Sequence, residues 1–406
     1  MAFRNINVLL EGFIKGSSIF LDKKLLQAHY CPPAVVHRDD FIEGIASILA
    51  PALRSERPSN LFVYGKTGTG KTLIIKHVTE HMVALAQQRG IPLRVIYVNC
   101  KLKRVADTEY RLIAHLAREF GETIPSTGLP TNHIYSLFYT TLDKTPQIII
   151  LILDEIDQLA KKAGDNLLYN LTRINSELKK AQISIIGISN DLVFVDQLDA
   201  RVKSSLSEEE ILFPPYNALQ IQGILRERSK AFREGAVKAG VVEKCAAYAA
   251  REHGDARRAL ELLRVAGELA ERKNCHTVEI KHLDEAQDKI DHDRLLDITL
   301  NQPRQFQAVL YSILSLSSRG DAASGSIVTG EIYSIYDSLC KKIKLRPLTQ
   351  RRVSDIIGEL DMLGILQTKV VSKGRYGRTR SITLMIPSAT VPKIRALLTK
   401  ALDISQ

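Results

Sequence analysis

Gly65-Lys66-Thr67-Gly68-Thr69-Gly70-Lys71-Thr72 follows the apolar run Leu61-Phe62-Val63-Tyr64 and precedes a helical pattern that starts at Leu73-Ile74-Ile75 and runs through Val78 to Val83. Strand, then G-x-x-x-x-G-K-T, then helix is the context in which a loop wraps a chain of phosphates. Glycines let the backbone amides of such a loop turn inward, and the helix start adds the positive end of its dipole. In that pattern Lys71 reaches the β- and γ-phosphates and the Thr72 hydroxyl ligates Mg²⁺. The spacing predicts a site for ATP or ADP with Mg²⁺.

Moving outward, Leu93-Arg94-Val95-Ile96-Tyr97-Val98-Asn99-Cys100 reads as a buried strand, and residues 108–120 as a helix with Leu112, Ile113, Leu116 and Ala117 on one face. A turn containing Gly128, Leu129 and Pro130 leads into a second helix with Ile134, Leu137, Phe138 and Leu142, an excursion longer than a minimal crossover needs. Ile148-Ile149-Ile150-Leu151-Ile152-Leu153 then ends in Asp154-Glu155. Such a run fits a central parallel strand buried on both faces, and ligands sit beyond the carboxyl ends of these strands. Asp154 is placed to hold the Mg²⁺, and Glu155 to orient or deprotonate an attacking water. Asp157 either adds charge or caps the next helix, and capping is the preferred reading. Another strand, 183–188, ends near Asn190, which either holds the water opposite Glu155 or is an ordinary turn residue. Arg201 lies beyond the sheet. It serves a neighbouring subunit's γ-phosphate or is a solvated surface group; the residues alone allow both.

Upstream, Tyr30-Cys31-Pro32-Pro33-Ala34-Val35-Val36-His37-Arg38 breaks helix at its prolines, and Asp39 or Asp40 is expected to cap the helix that follows. This apolar and basic segment is placed to pack on an adenine ring. Strands at 61–64, 93–98, 148–153 and 183–188 alternating with helices specify a parallel α/β sheet. From 217 to about 291 the pattern is purely helical. Within it, Gly254-Asp255-Ala256-Arg257-Arg258-Ala259-Leu260 starts a helix capped by Asp255 with two arginines in its first turn. Cations oppose the dipole there, so they are either solvated or face an anion.

The last section changes character again. Helices at 303–318, 329–339 and 349–363 precede two strand patterns, 365–371 and 381–386, which is the order of a winged helix. Residues 341–352 hold six basic groups and no acid, and residues 369–380 hold five and no acid. Gln350, Arg351 and Ser354 start the third helix and are candidates for base edges or phosphate. Arg375, Arg378 and Arg380, with Tyr376, suit the groove or backbone of a duplex. Use of the same module for protein contact is the competing reading.

The chain has 406 residues and a net charge of +11. Residues 297–406 carry 16 Lys and Arg against 8 Asp and Glu, whereas residues 1–296 carry 40 against 37. A basic last quarter on a nearly neutral remainder points to a polyanionic partner. The five cysteines are scattered with no C-x-x-C pair, which argues against a zinc site or a disulfide framework and for a reducing, cytoplasmic setting. The amino-terminal apolar patch is broken by charge, and no apolar stretch reaches membrane-spanning length, so no membrane partner is expected.

Together these motifs resemble the archaeal origin-recognition and Cdc-six type initiators, which are AAA+ ATPases. The resemblance implies an AAA+ base at 1–213 with an insertion near 108–142, a helical lid at 214–296 and a winged-helix DNA-binding domain at 297–406. It casts residues 65–72 as Walker A, Asp154-Glu155-Ile156-Asp157 as Walker B, Asn190 as sensor 1, Arg201 as arginine finger and Arg257 as sensor 2. Tyr30, Val36, His37 and Arg38 fall in the family's adenine-side box, and Tyr216 in Pro214-Pro215-Tyr216 would pack by the base at the lid hinge. Gly128 and Leu129 fall where the family has a DNA-contacting insertion. The implied activity is slow ATP hydrolysis used as a switch on binding to duplex origin DNA in the nucleoid, with the replicative helicase and other initiator protomers or paralogues as partners. A Holliday-junction branch-migration motor and an ATP-gated transcription regulator share parts of this layout and are the alternatives.

Overall fold

The structure, a computed structural model, describes residues 18–28, 30–101, 108–125, 128–206, 208–317, 327–372, 378–386 and 390–404. Contacts group the chain into two compact units, Met1–Leu283 and Asp284–Gln406.

The first unit is built on five parallel strands: β1 (Leu61–Gly65), β2 (Leu93–Asn99), β3 (Gln147–Asp154), β4 (Ala181–Ser189) and β5 (Glu209–Phe213), in the order β2-β3-β4-β1-β5. Side chains alternate between two faces along each strand. Leu61, Val63, Ile148, Ile150, Ile152, Ile186 and Ile188 pack against the helices Asp39–Leu49 and Lys71–Arg89 on one face. On the other face Phe62, Ile149, Leu151, Leu153, Ile183 and Ile185 meet the helices Glu109–Glu119, Thr131–Leu142, Ile156–Ala163 and Asp165–Arg173. Near-continuous isoleucine in β3 is what burial on both faces demands.

β5 was not anticipated. It is an edge strand whose first two residues, Glu209 and Glu210, are exposed and whose last, Phe213, is buried. Edge strands tolerate charge that central strands do not, so no apolar run marks it. The expected cap at Asp39 or Asp40 is also corrected: the helix Asp39–Leu49 has Arg38 as N-cap with no side-chain cap bond, and both acids lie in its first turn. There they favour the helix dipole instead.

Beyond β5 the helices Ala218–Arg228, Val241–Arg251 and Ala256–Arg272 form the lid part of this unit. Asn217 and Gln220 close a capping box on the first, satisfying two amide donors at its start.

The second unit contains the helices Arg304–Ser317, Thr329–Lys342 and Gln350–Met362, followed by the antiparallel pair β7 (Leu366–Ser372) and β8 (Arg378–Leu384). A short strand β6 (Ile327–Val328) adds to β8, giving the order β6-β8-β7. The helix Val391–Ala401 packs Ile394 and Leu398 into the same core as Ile313, Tyr336, Ile357 and Ile382. Neither β6 nor this last helix was read from the sequence. Two residues are too few for a periodic signal, and the helix opens on Val391-Pro392, which reads as a loop.

Candidate functional site

A cavity of about 440 Å³ opens at the carboxyl ends of β1, β2 and β3, lined by the phosphate loop, the Tyr30–Val36 segment and the lid. One end of it is formed by the start of the helix Lys71–Arg89. Gly70, with φ of 95°, is the N-cap, and no side chain caps the first turn. Uncapped amides at a helix start are donors awaiting an anion. Gly68, Thr69, Gly70, Lys71 and Thr72 line the cavity; Gly65, Lys66 and Thr67 do not. The carbonyls of Gly65 and Lys66 instead accept from Lys71 Nζ at 2.7 Å each. Burial pushes the Lys71 ammonium down to about 8, with the Asp154 charge acting against that shift.

The Asp154 carboxylate, at the end of β3, accepts from three donors. Thr72 Oγ1 donates to Oδ2 at 2.9 Å, Tyr97 Oη to the same oxygen at 2.7 Å, and the Glu155 amide to Oδ1 at 3.0 Å. Burial first, and the bond to Asp154 second, raise the Tyr97 hydroxyl's pKa, so it remains a donor at neutral pH. Glu155 has φ of 56°, a conformation costly for a residue with a Cβ, and its carboxylate lies 3.6 Å from Lys101 Nζ. Hard oxygen donors on Thr72 and Asp154 suit Mg²⁺. Among the described residues no group of three or more His, Cys, Asp or Glu could hold a metal by itself.

The lid reaches the phosphate loop directly. Asp255 caps the helix Ala256–Arg272 by accepting from the amides of Arg257 and Arg258. A Cβ on Gly68 would stand 1.7 Å from Asp255 Oδ1, and the Ala256 amide donates to the Gly68 carbonyl at 3.2 Å. Gly68 is therefore glycine both for its φ of 72° and to seat the lid. Arg257 lines the cavity, whereas Arg258 is turned away to Glu252 at 3.1 Å. Tyr216, 4 % exposed, also lines it, with its hydroxyl against Gly70.

The cavity wall also carries Tyr30 and Val36, with Cys31, Pro32, Ala34 and Val35 between them in sequence, and Ile224 and Leu260 of the lid. His37 and Arg38 were expected to share this wall; neither is among the residues that line the cavity. His37 packs its ring against Gly223, where a Cβ would lie 2.0 Å from Nε2. Arg38 is 2 % exposed, and its Nη2 donates to the carbonyls of Thr69 at 3.2 Å and Pro214 at 2.5 Å. Its guanidinium lies over the Tyr216 ring at 4.1 Å. Arg38 is thus a strut between phosphate loop and lid hinge.

Asn190 is exposed and lines the cavity near Glu155. Asp157 does not cap the helix Ile156–Ala163, which lacks a side-chain cap; it is buried and accepts from Ser189 Oγ at 3.1 Å. Arg201 is not among this cavity's lining residues. It pairs with Asp199, both nitrogens at 3.1 Å, beside the Tyr169 ring. Gly128 is exposed with φ of 109°, while Leu129 is half-buried against the core of the base.

In the second unit, Thr349 caps the helix Gln350–Met362 by accepting from the Arg352 amide. Gln350 and Arg351 are exposed, and Ser354 is half-buried. Arg380 Nη1 donates to the Ser354 carbonyl at 3.1 Å, tying β8 to that helix. Arg375 and Tyr376 lie outside the described residues, as does the Arg378 side chain.

Tyr97 was read only as a member of a buried strand. Its signal was period two: in register, Asn99 stands opposite Asp154 and Tyr97 opposite Ile152, so Tyr97 and Asn99 share one strand face.

Family comparison matches residues 53–193 to an AAA domain, 222–288 to a Cdc6 AAA+ ATPase-type lid domain and 297–393 to a CDC6 C-terminal winged helix domain. An ORC1-type DNA replication protein of Thermococcus onnurineus is 51% identical over 96% of this chain and 94% of its own length. ORC1-type DNA replication protein 1 of Methanosarcina mazei is 49% identical over 96% and 94%. The solved structure of the Aeropyrum pernix ORC1 protein in complex with DNA superposes with a TM-score of 0.80 at 44% identity, covering 95% of this chain and 97% of that one.

Proposed function

The chain belongs to the ORC1/Cdc6-type DNA replication proteins, AAA+ ATPases with a C-terminal winged helix, and from that premise we propose that it binds duplex DNA at replication origins under the control of bound nucleotide and helps load the replicative helicase. The observation that carries the switch is the contact between lid and phosphate loop. Asp255 fills the space that Gly68 leaves, and Arg257 enters the cavity from the same helix turn. In this reading a ligand that moves the loop moves the lid with it.

In this reading the uncapped amides of the helix Lys71–Arg89 bind the phosphates, and Lys71 Nζ exchanges its two loop carbonyls for phosphate oxygens. Thr72 and Asp154 would hold Mg²⁺, which when bound neutralises phosphate charge. Glu155 takes a proton from the attacking water, Asn190 orients that water, and Arg257 meets the phosphate charge. Tyr30, Val36 and Tyr216 pack on the base.

Arg201 does not line its own chain's cavity, and in this reading it leaves Asp199 to meet a neighbouring protomer's nucleotide. Turnover by the isolated chain should then be slow, on the order of 10⁻³ per second or less, as in P-loop enzymes awaiting an arginine from a partner. Gln350, Arg351, Ser354 and the basic hairpin would meet DNA in the winged helix, with Gly128 as a second contact. A soluble, nucleoid-associated protein fits this reading, and no described helix is long and apolar enough to cross a membrane. Relatives named for replication, matched over nearly the whole chain, favour an initiator over a branch-migration motor or a transcription regulator.

Single-turnover hydrolysis and duplex-DNA anisotropy measured with ATP, ADP and no nucleotide test the proposal. It expects slow hydrolysis and a DNA affinity that changes with nucleotide in the parent chain and not in Lys71→Ala. Fast hydrolysis stimulated by branched DNA would contradict it.

A further inference from the structure

The Asp154 carboxylate is held by more than the two residues its motif supplies. Thr72 and Tyr97 converge on one oxygen, Oδ2, at 2.9 and 2.7 Å, while Oδ1 takes the Glu155 amide at 3.0 Å. Tyr97 is itself fixed on two sides. Its backbone stands opposite Ile152 in the β2–β3 ladder, and Lys76 Nζ lies over its ring at 3.8 Å. Lys76 is one helical turn beyond Thr72, so the ring bridges the helix of the phosphate loop and the strand that carries the acid. Tyr97, Lys76, Thr72 and Asp154 all line the one cavity.

A hydroxyl that gives its lone pair to a cation still needs an acceptor for its proton. Asp154 Oδ2 is that acceptor for Thr72. A carboxylate held only by Thr72 and a backbone amide could rotate away from that role. The Tyr97 hydroxyl, donated from a different strand, removes this freedom. Groups that orient the ligands of a metal commonly change its affinity by 10- to 100-fold.

We infer that Tyr97 is a positioning residue for the divalent cation: its hydroxyl locks the Asp154 carboxylate in the orientation that serves the metal, and Lys76 locks the ring. The inference rests on the reading of the cavity as a Mg²⁺–nucleotide site. It makes Tyr97 a determinant of metal dependence and leaves the metal-free contacts to the nucleotide with the loop.

The test compares the full chain with Tyr97→Phe, which keeps the ring under Lys76 and loses only the hydroxyl. A fluorescent ATP analogue is titrated in EDTA, and then Mg²⁺ is titrated at fixed nucleotide. The expected result is an unchanged affinity in EDTA and a half-saturating Mg²⁺ concentration raised on the order of tenfold. An unchanged Mg²⁺ midpoint overturns the inference. So does an affinity that falls equally with and without Mg²⁺, because that is the signature of a packing role. A parent chain that binds nucleotide with no response to Mg²⁺ overturns the reading of the site itself, and the parent titration alone reveals it.

Discussion

In the proposed function, Lys71 is the residue on which the chemistry turns. Burial holds its ammonium at about 8, so part of the population is neutral just above neutral pH. Bound phosphates require the charged form, and binding above pH 8 must therefore take up a proton. Nucleotide affinity should fall as pH rises through about 8, toward a limiting tenfold per pH unit, and Lys71→Arg should flatten the profile because arginine stays charged. Isothermal titration across pH 7–9.5 checks this; a flat profile for the parent chain would refute it. Asp255 gives a second prediction. Its carboxylate caps two amides, so Asp255→Ala should cost about 1 kcal/mol of stability by chemical denaturation and also weaken the coupling of lid to loop. The motif residues were legible because each belongs to a run with fixed spacing. Arg38 was not, because a guanidinium bonded to two carbonyls 145 residues apart in sequence (Thr69 and Pro214) leaves no local signal. Asp157 misled for a related reason: an acid at a helix start is usually a cap, yet here Ser189 from β4 claims it.

At the scale of elements, residues 19–30 behave as a strap on the lid. Phe20 packs tilted against Phe232 with ring centres 4.6 Å apart, the Arg233 amide donates to the Ile19 carbonyl, and Arg228 donates to the carbonyls of Leu25 and Tyr30. The strap then runs on as the wall of the cavity that carries Tyr30. Gly267 makes this packing possible: a Cβ there would lie 2.4 Å from Phe20 Cζ and 2.7 Å from Phe232 Cε1. Gly267→Ala should destabilise by about 1–3 kcal/mol through overpacking, read by urea denaturation, and expose the strap to limited proteolysis. An unchanged midpoint would show that the rings are free to yield. Arg38→Ala should cost about 3 kcal/mol on the same assay, since it removes a buried charged donor from two carbonyls. Long periodic elements such as β3 and the helix Lys71–Arg89 announced themselves, whereas β5 and β6 did not. An acidic edge strand and a two-residue strand are defined by their partners, β1 and β8, and only the folded sheet supplies those.

For the whole molecule, charge separates the two functions. The near-neutral first 296 residues hold the nucleotide cavity, and the basic remainder forms the winged helix. Each arginine that meets a phosphate should contribute about one to the slope of log affinity against log salt. Arg351→Ala is therefore expected to lower that slope by about one in anisotropy titrations, with no change in nucleotide binding. Architecture was legible at this scale because period, spacing and charge all agree along the chain. The contacts that join loop, lid and strap were not, since each is made by residues far apart in sequence. The most direct test of the account is DNase footprinting across the host's replication origins, comparing the parent chain with Gln350→Ala/Arg351→Ala and with Lys71→Ala. The account predicts discrete protection at origins that the helix variant loses and that the Lys71 variant alters. Uniform protection of all DNA, or none at origins, would contradict it.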